Sequence, residues 1–295
     1  MLKSLTDGIT YYSFKNLSSE KGVHHLFSTR LGGVSEGVYE SMNLNFKTGD
    51  NPEKVRQNFQ RIAELGFPVE DMVFAHQTHQ CQVRKVTATD RGKGILVKRD
   101  YTDIDGLITN DPTVTLVTFY ADCVPLYFYD PVQRAIGLSH AGWRGTVGQI
   151  GAVTVQAMVD NYRSNPQDIL VGIGPSICKD CFEVGNEVAE EFTFGDPLFP
   201  SKATPSNSLS HSTSEFVQAL EFASNFITPC PDKPNKSYID LQGINKQSLI
   251  KLGIPAASIE LPNICTKENP DTFFSHRVMG TARGSLAAFM RLCEF

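Results

Sequence analysis

One thiol and two imidazoles occupy positions in this sequence from which they could bind a metal ion. Cys123 and His140 stand seventeen residues apart, each at the edge of a short apolar run that predicts a strand. This spacing places the two side chains in adjacent turns. The isolated segment 76–79, which contains His76 and His79, could supply a further nitrogen. Two nitrogens and one sulfur leave the fourth position of a Zn²⁺ ion open, which favours a catalytic over a structural site.

The segment directly after His140 has features of an anion site. Arg144 lies in a Gly-Trp-Arg-Gly turn, and a helix is predicted over residues 146–162 behind it. The free N–H groups of a helix N-terminus and a forked guanidinium both favour an anion. A surface ion pair is the alternative for Arg144. We expect Trp143, the only tryptophan, to be a packing anchor rather than a substrate platform.

The elements that would position these residues form a mixed α/β core. Apolar runs predict strands at residues 114–120, 125–129, 135–139 and 169–173. A helix is predicted over residues 52–65, with Asp50 or Asn51 as its N-cap and Pro52 in its first turn. Another is predicted over residues 244–252, where Gly253 and Pro255 follow.

Composition favours a soluble, cytoplasmic enzyme. The chain has 295 residues, 41% hydrophobic and 20% charged, which is enough to bury a substantial core. Its apolar stretches are strand-sized, and its first residues lack the apolar region of a signal peptide, so we expect neither a membrane span nor export. A net charge of −5 argues against a general nucleic-acid binder.

The seven cysteines are an odd number in a chain too long to depend on disulfides, so we expect reduced thiols. Cys178 and Cys181 form the single CxxC pair. A redox motif or half of a zinc knuckle is disfavoured because no second CxxC accompanies it, and we interpret the pair as two small, half-buried side chains in a loop. The Pro- and Ser-rich segment 199–214 predicts a surface loop.

A series of segments, in chain order, resembles one known family, the laccase-domain or polyphenol-oxidase-like proteins associated with purine nucleoside phosphorylase activity. The matching segments are residues 27–35, 43–45 with 49–50, 77–79, 103–106, Ala-Asp-Cys-Val-Pro at 121–125, His-Ala-Gly-Trp-Arg-Gly at 140–145, 172–177 and Phe-Ser-His-Arg at 274–277. The resemblance covers nearly the whole chain. It implies a single domain over residues 1–295, of α/β (α+β) class, with mixed sheets packed together and flanked by helices.

The resemblance also implies a metal site built from His79, Cys123 and His140. The residue after His79 is Gln80, where the family usually has glycine, so the backbone could differ there. His76 is the alternative first ligand. On a strand it would face away from His79, which argues against both binding one ion.

The implied activity is phosphate-dependent cleavage of the N-glycosidic bond of adenosine, inosine, guanosine or methylthioadenosine, with adenosine deamination also known among relatives. Zn²⁺ would activate water for deamination. Phosphorolysis needs a cationic cradle for phosphate, for which Arg144, Arg30 and Arg277 are the predicted residues. We expect Asp122 to support the metal, to transfer a proton or to act as a structural cap. Further candidates are Asp105 and Glu183.

Two other activities use the same residues. Copper-dependent phenol oxidation is suggested by the older family name, but a multicopper site needs many His ligands and the chain has seven His in all. A cysteine hydrolase, with Cys123 as nucleophile and His140 as base, needs no metal. Its substrate would be a cell-wall peptidoglycan precursor carrying a misincorporated amino acid. A non-enzymatic binding module is least favoured, and the sequence does not indicate whether the chain has protein partners.

Overall fold

Two six-stranded mixed sheets stack face to face at the centre of the molecule. The computed structural model describes residues 1–4, 8–192 and 225–293, so the predicted loop at 199–214 lies outside the described residues. In spatial order, the first sheet consists of β1 (Leu2–Ser4), β2 (Thr10–Tyr12), β3 (Val23–Ser28), β15 (Leu286–Leu292), β7 (Thr115–Tyr120) and β4 (Met72–Phe74). The second consists of β14 (Ile259–Glu260), β10 (Leu170–Ile173), β8 (Val124–Asp130), β9 (Ala135–Ala141), β6 (Gly106–Thr109) and β5 (Val83–Lys85).

A small third sheet and the helices surround this pair. The third sheet contains β11 (Glu183–Gly185), β13 (Lys236–Ile239) and β12 (Ile227–Pro229). The helices are α1 (Lys15–Ser18), α2 (Pro52–Ala63), α3 (Trp143–Val147), α4 (Ile150–Tyr162), α5 (Asn186–Glu190), α6 (Leu241–Lys251) and α7 (His276–Met279). No helix within the described ranges is long and apolar enough to cross a membrane.

Three apolar layers hold the fold together. Phe27, Tyr127 and Leu138 belong to the core between the two large sheets. A second core joins the outer face of the second sheet to α4 and α6, and a third joins the first sheet to α2. The predicted class, mixed sheets packed together and flanked by helices in a single compact domain, is confirmed.

The hairpin of β8 and β9 explains the spacing of Cys123 and His140. Every residue of both strands is buried, which is why their sequences are continuous apolar runs rather than alternating ones. The strands are antiparallel and pair Val124 with Ala141 and Pro125 with His140. Cys123, just before β8, therefore lies beside the end of β9 that carries His140.

The helices predicted over residues 52–65 and 244–252 are present, with changes of boundary. Asn51 caps α2 by accepting a hydrogen bond from the backbone N–H of Glu53, as the sequence predicts. The helix α6 begins at Leu241, three residues earlier than predicted, because Asp240 accepts a hydrogen bond from the N–H of Gly243 and caps it there.

The single helix predicted over residues 146–162 is wrong. The segment forms two helices, α3 and α4, separated by Gly148 and by Gln149 in a left-handed conformation with φ of 57°. The side chain of Cys81 packs against this break, since a Cβ at position 148 would lie 2.2 Å from its Sγ. In place of the predicted long helix behind Arg144, the chain thus forms the short helix α3, which has five residues and includes Arg144.

Candidate active site

A cavity of about 410 Å³ opens where the chain passes twice from the first sheet to the second. The connection from β4 to β5 carries His79, and the connection from β7 to β8 carries Cys123. His140 closes the floor from the end of β9. The volume is in the range usual for small-molecule sites.

His79, Cys123 and His140 converge in this cavity. One ligand-type atom from each lies within 4.8 Å of the other two. The Sγ of Cys123 is 4.0 Å from Nε2 of His79, and the two imidazole rings are 4.9 Å apart, edge to face. His140 is buried whereas His79 is exposed, so the group faces the cavity from one side only. A metal bound here would keep a position open toward the cavity.

Asp105 organises two of these three residues. Its buried carboxylate accepts hydrogen bonds from the backbone N–H groups of Thr78, His79 and Gln80 at 3.0, 3.1 and 3.0 Å. It also contacts Nδ1 of His140 at 2.8 Å. Because Nδ1 donates to the carboxylate, Nε2 of His140 is the nitrogen left for a metal.

The same contacts control ionisation at the site. Burial opposes the thiolate of Cys123, but the imidazoles of His140 and His79 outweigh it and lower the pKa of the thiol to about 6. Burial also opposes the charged form of His140, yet Cys123 and Asp105 raise the pKa of its imidazole to about 9. The thiol is therefore activated as a metal ligand or as a nucleophile.

The backbone around the three donors leaves room for an ion but not for another side chain. A Cβ added at Gly142 would lie 2.8 Å from Cδ2 of His79 and 3.2 Å from Sγ of Cys123. Gln80 stands where the family usually has glycine, and it donates its backbone N–H to Asp105. The residue before it, His79, adopts a left-handed conformation with φ of 63°. His79 lies in a bend rather than on a strand, so the expectation that strand geometry turns His76 and His79 to opposite sides does not apply. Nδ1 of His76 accepts the N–H of Asp103 instead.

The three arginines predicted to bind phosphate do not line this cavity. Arg144 is exposed and stacks on the Trp143 ring, with its guanidinium carbon 4.1 Å from the ring centroid. Arg30 donates to the carbonyls of Glu40 and Pro270. Arg277 donates to the carbonyls of Cys181 and Glu183. These guanidiniums are bound to the protein's own backbone or stacked on a ring outside this cavity, so their assignment to a phosphate cradle stays a prediction.

Asp122 and Glu183 are likewise engaged elsewhere. The carboxylate of Asp122 accepts a hydrogen bond from the Thr266 hydroxyl at 2.7 Å and another from the backbone N–H of Arg277 at 2.7 Å. Asp122 therefore anchors the start of α7 beside Cys123. This contact corresponds to the structural cap, one of the roles predicted for Asp122. Glu183 forms an ion pair with Lys233.

Lys47, Arg99 and Arg283 are the cations that do line the cavity, and sequence reasoning missed all three. They come from loops far apart in the chain and have no motif in common. The Nε of Arg283 is buried and has no hydrogen-bond partner among the described residues. Burial lowers the pKa of this guanidinium, with opposing contributions from Asp122 and Cys123.

Aromatic rings form another part of the wall, and no Asp or Glu lines the cavity among the described residues. The rings are those of Phe46, Phe74, Phe119 and Tyr120. Phe74 and Phe119 pack edge to face at 5.0 Å. The cavity combines an apolar aromatic surface with positively charged side chains.

Comparisons with known proteins agree with this architecture. A model of the family described as multi-copper polyphenol oxidoreductase laccase matches residues 24–293. The chain is 34% identical to purine nucleoside phosphorylase YlmD of Bacillus subtilis, over 91% of this chain and 88% of that protein. It is 31% identical to adenosine deaminase RL5 from an unknown prokaryotic organism, over 88% and 90%. The crystal structure of the hypothetical protein YfiH of Bacillus licheniformis superposes with a TM-score of 0.82 at 30% identity, covering 99% of both chains.

Proposed function

This chain belongs to the multi-copper polyphenol oxidoreductase laccase family, and we propose that it is a purine nucleoside phosphorylase holding Zn²⁺ through His79, Cys123 and His140. The observation that carries the proposal is the composition of the cavity. Three cations and several aromatic rings line it together with the three donors, without a carboxylate among the described residues. Such a cavity suits a flat heteroaromatic base and an inorganic anion bound side by side.

The cations give phosphate its binding position. A guanidinium binds phosphate oxygens through paired N–H donors, and the half-buried Arg283 presents such a group at the cavity wall. Arg99 is fixed by a hydrogen bond of 2.9 Å from its guanidinium to the Ala75 carbonyl. Lys47 is exposed at the cavity rim and adds a point charge. Adenosine, inosine, guanosine and methylthioadenosine are the proposed nucleosides.

Phosphorolysis then requires one bond to form and one to break. A phosphate oxygen attacks C1′ of the ribose while the bond from C1′ to the purine nitrogen breaks, and the departing base accepts a proton. Because no carboxylic acid lines the cavity among the described residues, the imidazoles of His76 and His276 are the proposed proton donors. Bound Zn²⁺ supplies a Lewis acid that stabilises charge on the substrate.

Adenosine deamination is the proposed minor activity. Zinc nucleobase deaminases use a Glu beside the metal as general acid and base. The described cavity wall contains no such residue, and Asp105 is occupied by four hydrogen bonds. We therefore expect deamination to be slower than phosphorolysis.

A cysteine hydrolase is the second candidate, because Cys123, His140 and Asp105 have the order of a nucleophile, base and orienting acid. Its proposed substrate is the peptidoglycan precursor with a misincorporated amino acid. The position of His79, with Nε2 4.0 Å from Cys123 Sγ, favours the metal site because a triad does not require it. Multicopper oxidation is disfavoured: of the two metal-type clusters among the described residues, one has two His and the other none.

The test combines metal analysis with product analysis on the same protein. Adenosine is incubated with and without phosphate, and adenine, ribose 1-phosphate and inosine are separated by chromatography. We expect ribose 1-phosphate only with phosphate, and loss of about one metal ion per chain together with activity in Cys123→Ala. Amino-acid release from a peptidoglycan precursor by chelator-treated protein, with no nucleoside product from the metal-replete protein, would favour the hydrolase instead.

A further inference from the structure

Three cysteines and a glutamate form a second cluster, separate from the cavity. One ligand-type atom from each of Cys178, Cys181, Cys265 and Glu268 lies within 4.8 Å of all the others. The Oε1 of Glu268 is 3.8 Å from Sγ of Cys178 and 3.5 Å from Sγ of Cys181. None of these residues lines the cavity. The CxxC pair, interpreted from sequence as two side chains in a loop, is thus joined by two donors from a distant segment.

Backbone hydrogen bonds hold the two segments in register. Ser176 and Cys265 form a parallel β-bridge, with hydrogen bonds from Ser176 N–H to Ile264 and from Thr266 N–H to the Ser176 carbonyl. After this bridge the first segment turns back, so that Cys181 donates its N–H to the carbonyl of Cys178 at 3.1 Å. The two turns point all four side chains toward one place.

The environment of the sulfurs is that of thiolate ligands. The N–H of Cys178 points at Sγ of Cys265 at 3.3 Å, which stabilises negative charge on that sulfur. Cys181 and Cys265 are buried beside Ile177, whereas Glu268 is exposed and closes the cluster from the solvent side. A metal ion would bind these sulfurs in the deprotonated form.

We propose that Cys178, Cys181, Cys265 and Glu268 form a second, structural Zn²⁺ site. Bond lengths of about 2.3 Å to sulfur and about 2.1 Å to a carboxylate oxygen require sulfur-to-oxygen edges of about 3.6 Å in a tetrahedron. The distances from Oε1 of Glu268 to the sulfurs of Cys178 and Cys181, 3.8 and 3.5 Å, match this length. Four protein ligands leave no open position, which distinguishes this site from the three-ligand site in the cavity.

The second site lies against the segment that carries Cys123. The carbonyl of Asp122 accepts the N–H of Ile177, next to Cys178, and its carboxylate accepts the hydroxyl of Thr266, next to Cys265. Arg277 adds a hydrogen bond from its guanidinium to the Cys181 carbonyl. A metal ion that fixes both turns therefore also fixes the position of Asp122, and through it the backbone at Cys123.

The test is metal stoichiometry with and without each site. Wild-type protein purified under reducing conditions is expected to contain about two zinc ions per chain by elemental analysis. Cys123→Ala and Cys265→Ser should each lose one and keep the other. Cys293→Ser is the matched control, since Cys293 is a half-buried cysteine outside both clusters. Glu268→Gln, at an exposed position, tests the fourth ligand without disturbing the core and should weaken zinc binding at this site about tenfold or more.

Cobalt substitution gives a readout that does not depend on folding of the Cys265 variant. Co²⁺ bound to thiolates absorbs by charge transfer in proportion to the number of metal–sulfur bonds. Co²⁺-loaded Cys123→Ala should retain about three quarters of the wild-type absorption, because three of the four thiolates remain. A Cys123→Ala protein without metal and without this absorption would overturn the second site, even if the cavity site were confirmed. A disulfide between Cys178 and Cys181 in the reduced wild-type preparation would overturn it as well.

Discussion

Asp105→Asn is the most informative perturbation of the cavity site, because Asp105 contacts both segments that carry the imidazoles. Its Oδ1 accepts from His79 N–H and Nδ1 of His140, and its Oδ2 accepts from the N–H groups of Thr78 and Gln80. Asparagine has nearly the same shape but only one acceptor oxygen. Whichever way the amide is oriented, two donors lose their acceptor and face an N–H₂ group.

The expected magnitude follows from those two lost contacts. Hydrogen bonds to a charged group contribute about 1.5–3 kcal/mol each, so the loss of two of the four contacts removes about 3–6 kcal/mol of positioning energy. Changes to a residue that orients a metal ligand reduce metal affinity or activity by about 10–100-fold. Since two contacts of Asp105 are lost at once, we expect a reduction near the upper end of that range.

Zinc affinity would be measured by competition with a chelating dye, and phosphorolysis by release of ribose 1-phosphate. Circular dichroism would verify that the fold persists. Asp103→Asn is the matched control: Asp103 lies two residues away and is half-buried, and its carboxylate accepts a hydrogen bond from the hydroxyl of Thr78 without contacting any of the three metal-donor residues. Wild-type zinc affinity and activity in Asp105→Asn would refute the assignment of Asp105 as the residue that positions His140.

Three further outcomes are expected. Arg283→Gln should raise the KM for phosphate about tenfold or more while leaving zinc bound, whereas Arg144→Ala, at an exposed and stacked side chain, should change it little; equal effects in steady-state kinetics would contradict the revised cradle. Gly142→Ala should lower zinc occupancy by elemental analysis, because its Cβ would lie 2.8 Å from Cδ2 of His79. Burial lowers the pKa of His25 to about 3, so the unfolded chain binds a proton below pH 6.5 that the folded chain does not. The free energy of unfolding should then fall by about 1.4 kcal/mol per pH unit below 6.5, or by about 2 kcal/mol at pH 5. In urea unfolding, the decrease between pH 6.5 and pH 5 should be about 2 kcal/mol smaller for His25→Gln than for the wild type.

The strands and the residues of the candidate metal site could be predicted from the sequence because they depend on local features of the chain. The buried strands β8 and β9 are recognisable because a strand covered on both faces must be apolar throughout. Once they form a hairpin, Cys123 and His140 must be neighbours, since antiparallel pairing brings the two ends together. The cap and first-turn proline of α2 are local in the same sense, and its bounds were predicted closely.

The helix after His140 was predicted incorrectly because a tertiary contact decides where it breaks. Apolar spacing alone is continuous across residues 146–162. The break at Gly148 is occupied by Cys81 from another loop, and no pattern within the segment specifies that contact. The anion site predicted from that helix stays a prediction, without the continuous helix on which it was based.

By itself, the sequence determined the types of atom available for chemistry, the strands that carry them and the pairing of Cys123 with His140. Only the tertiary structure decided which charged groups face the cavity. Arg144 and Arg283 are chemically identical in the sequence, and they differ because one stacks on a neighbouring indole while the other lies half-buried in the cavity wall. Likewise, Cys265 and Glu268 join Cys178 and Cys181 only through a β-bridge between segments distant in the chain. Contacts of this kind depend on how separate apolar faces pack against one another, and that packing has no periodic signature in any single segment.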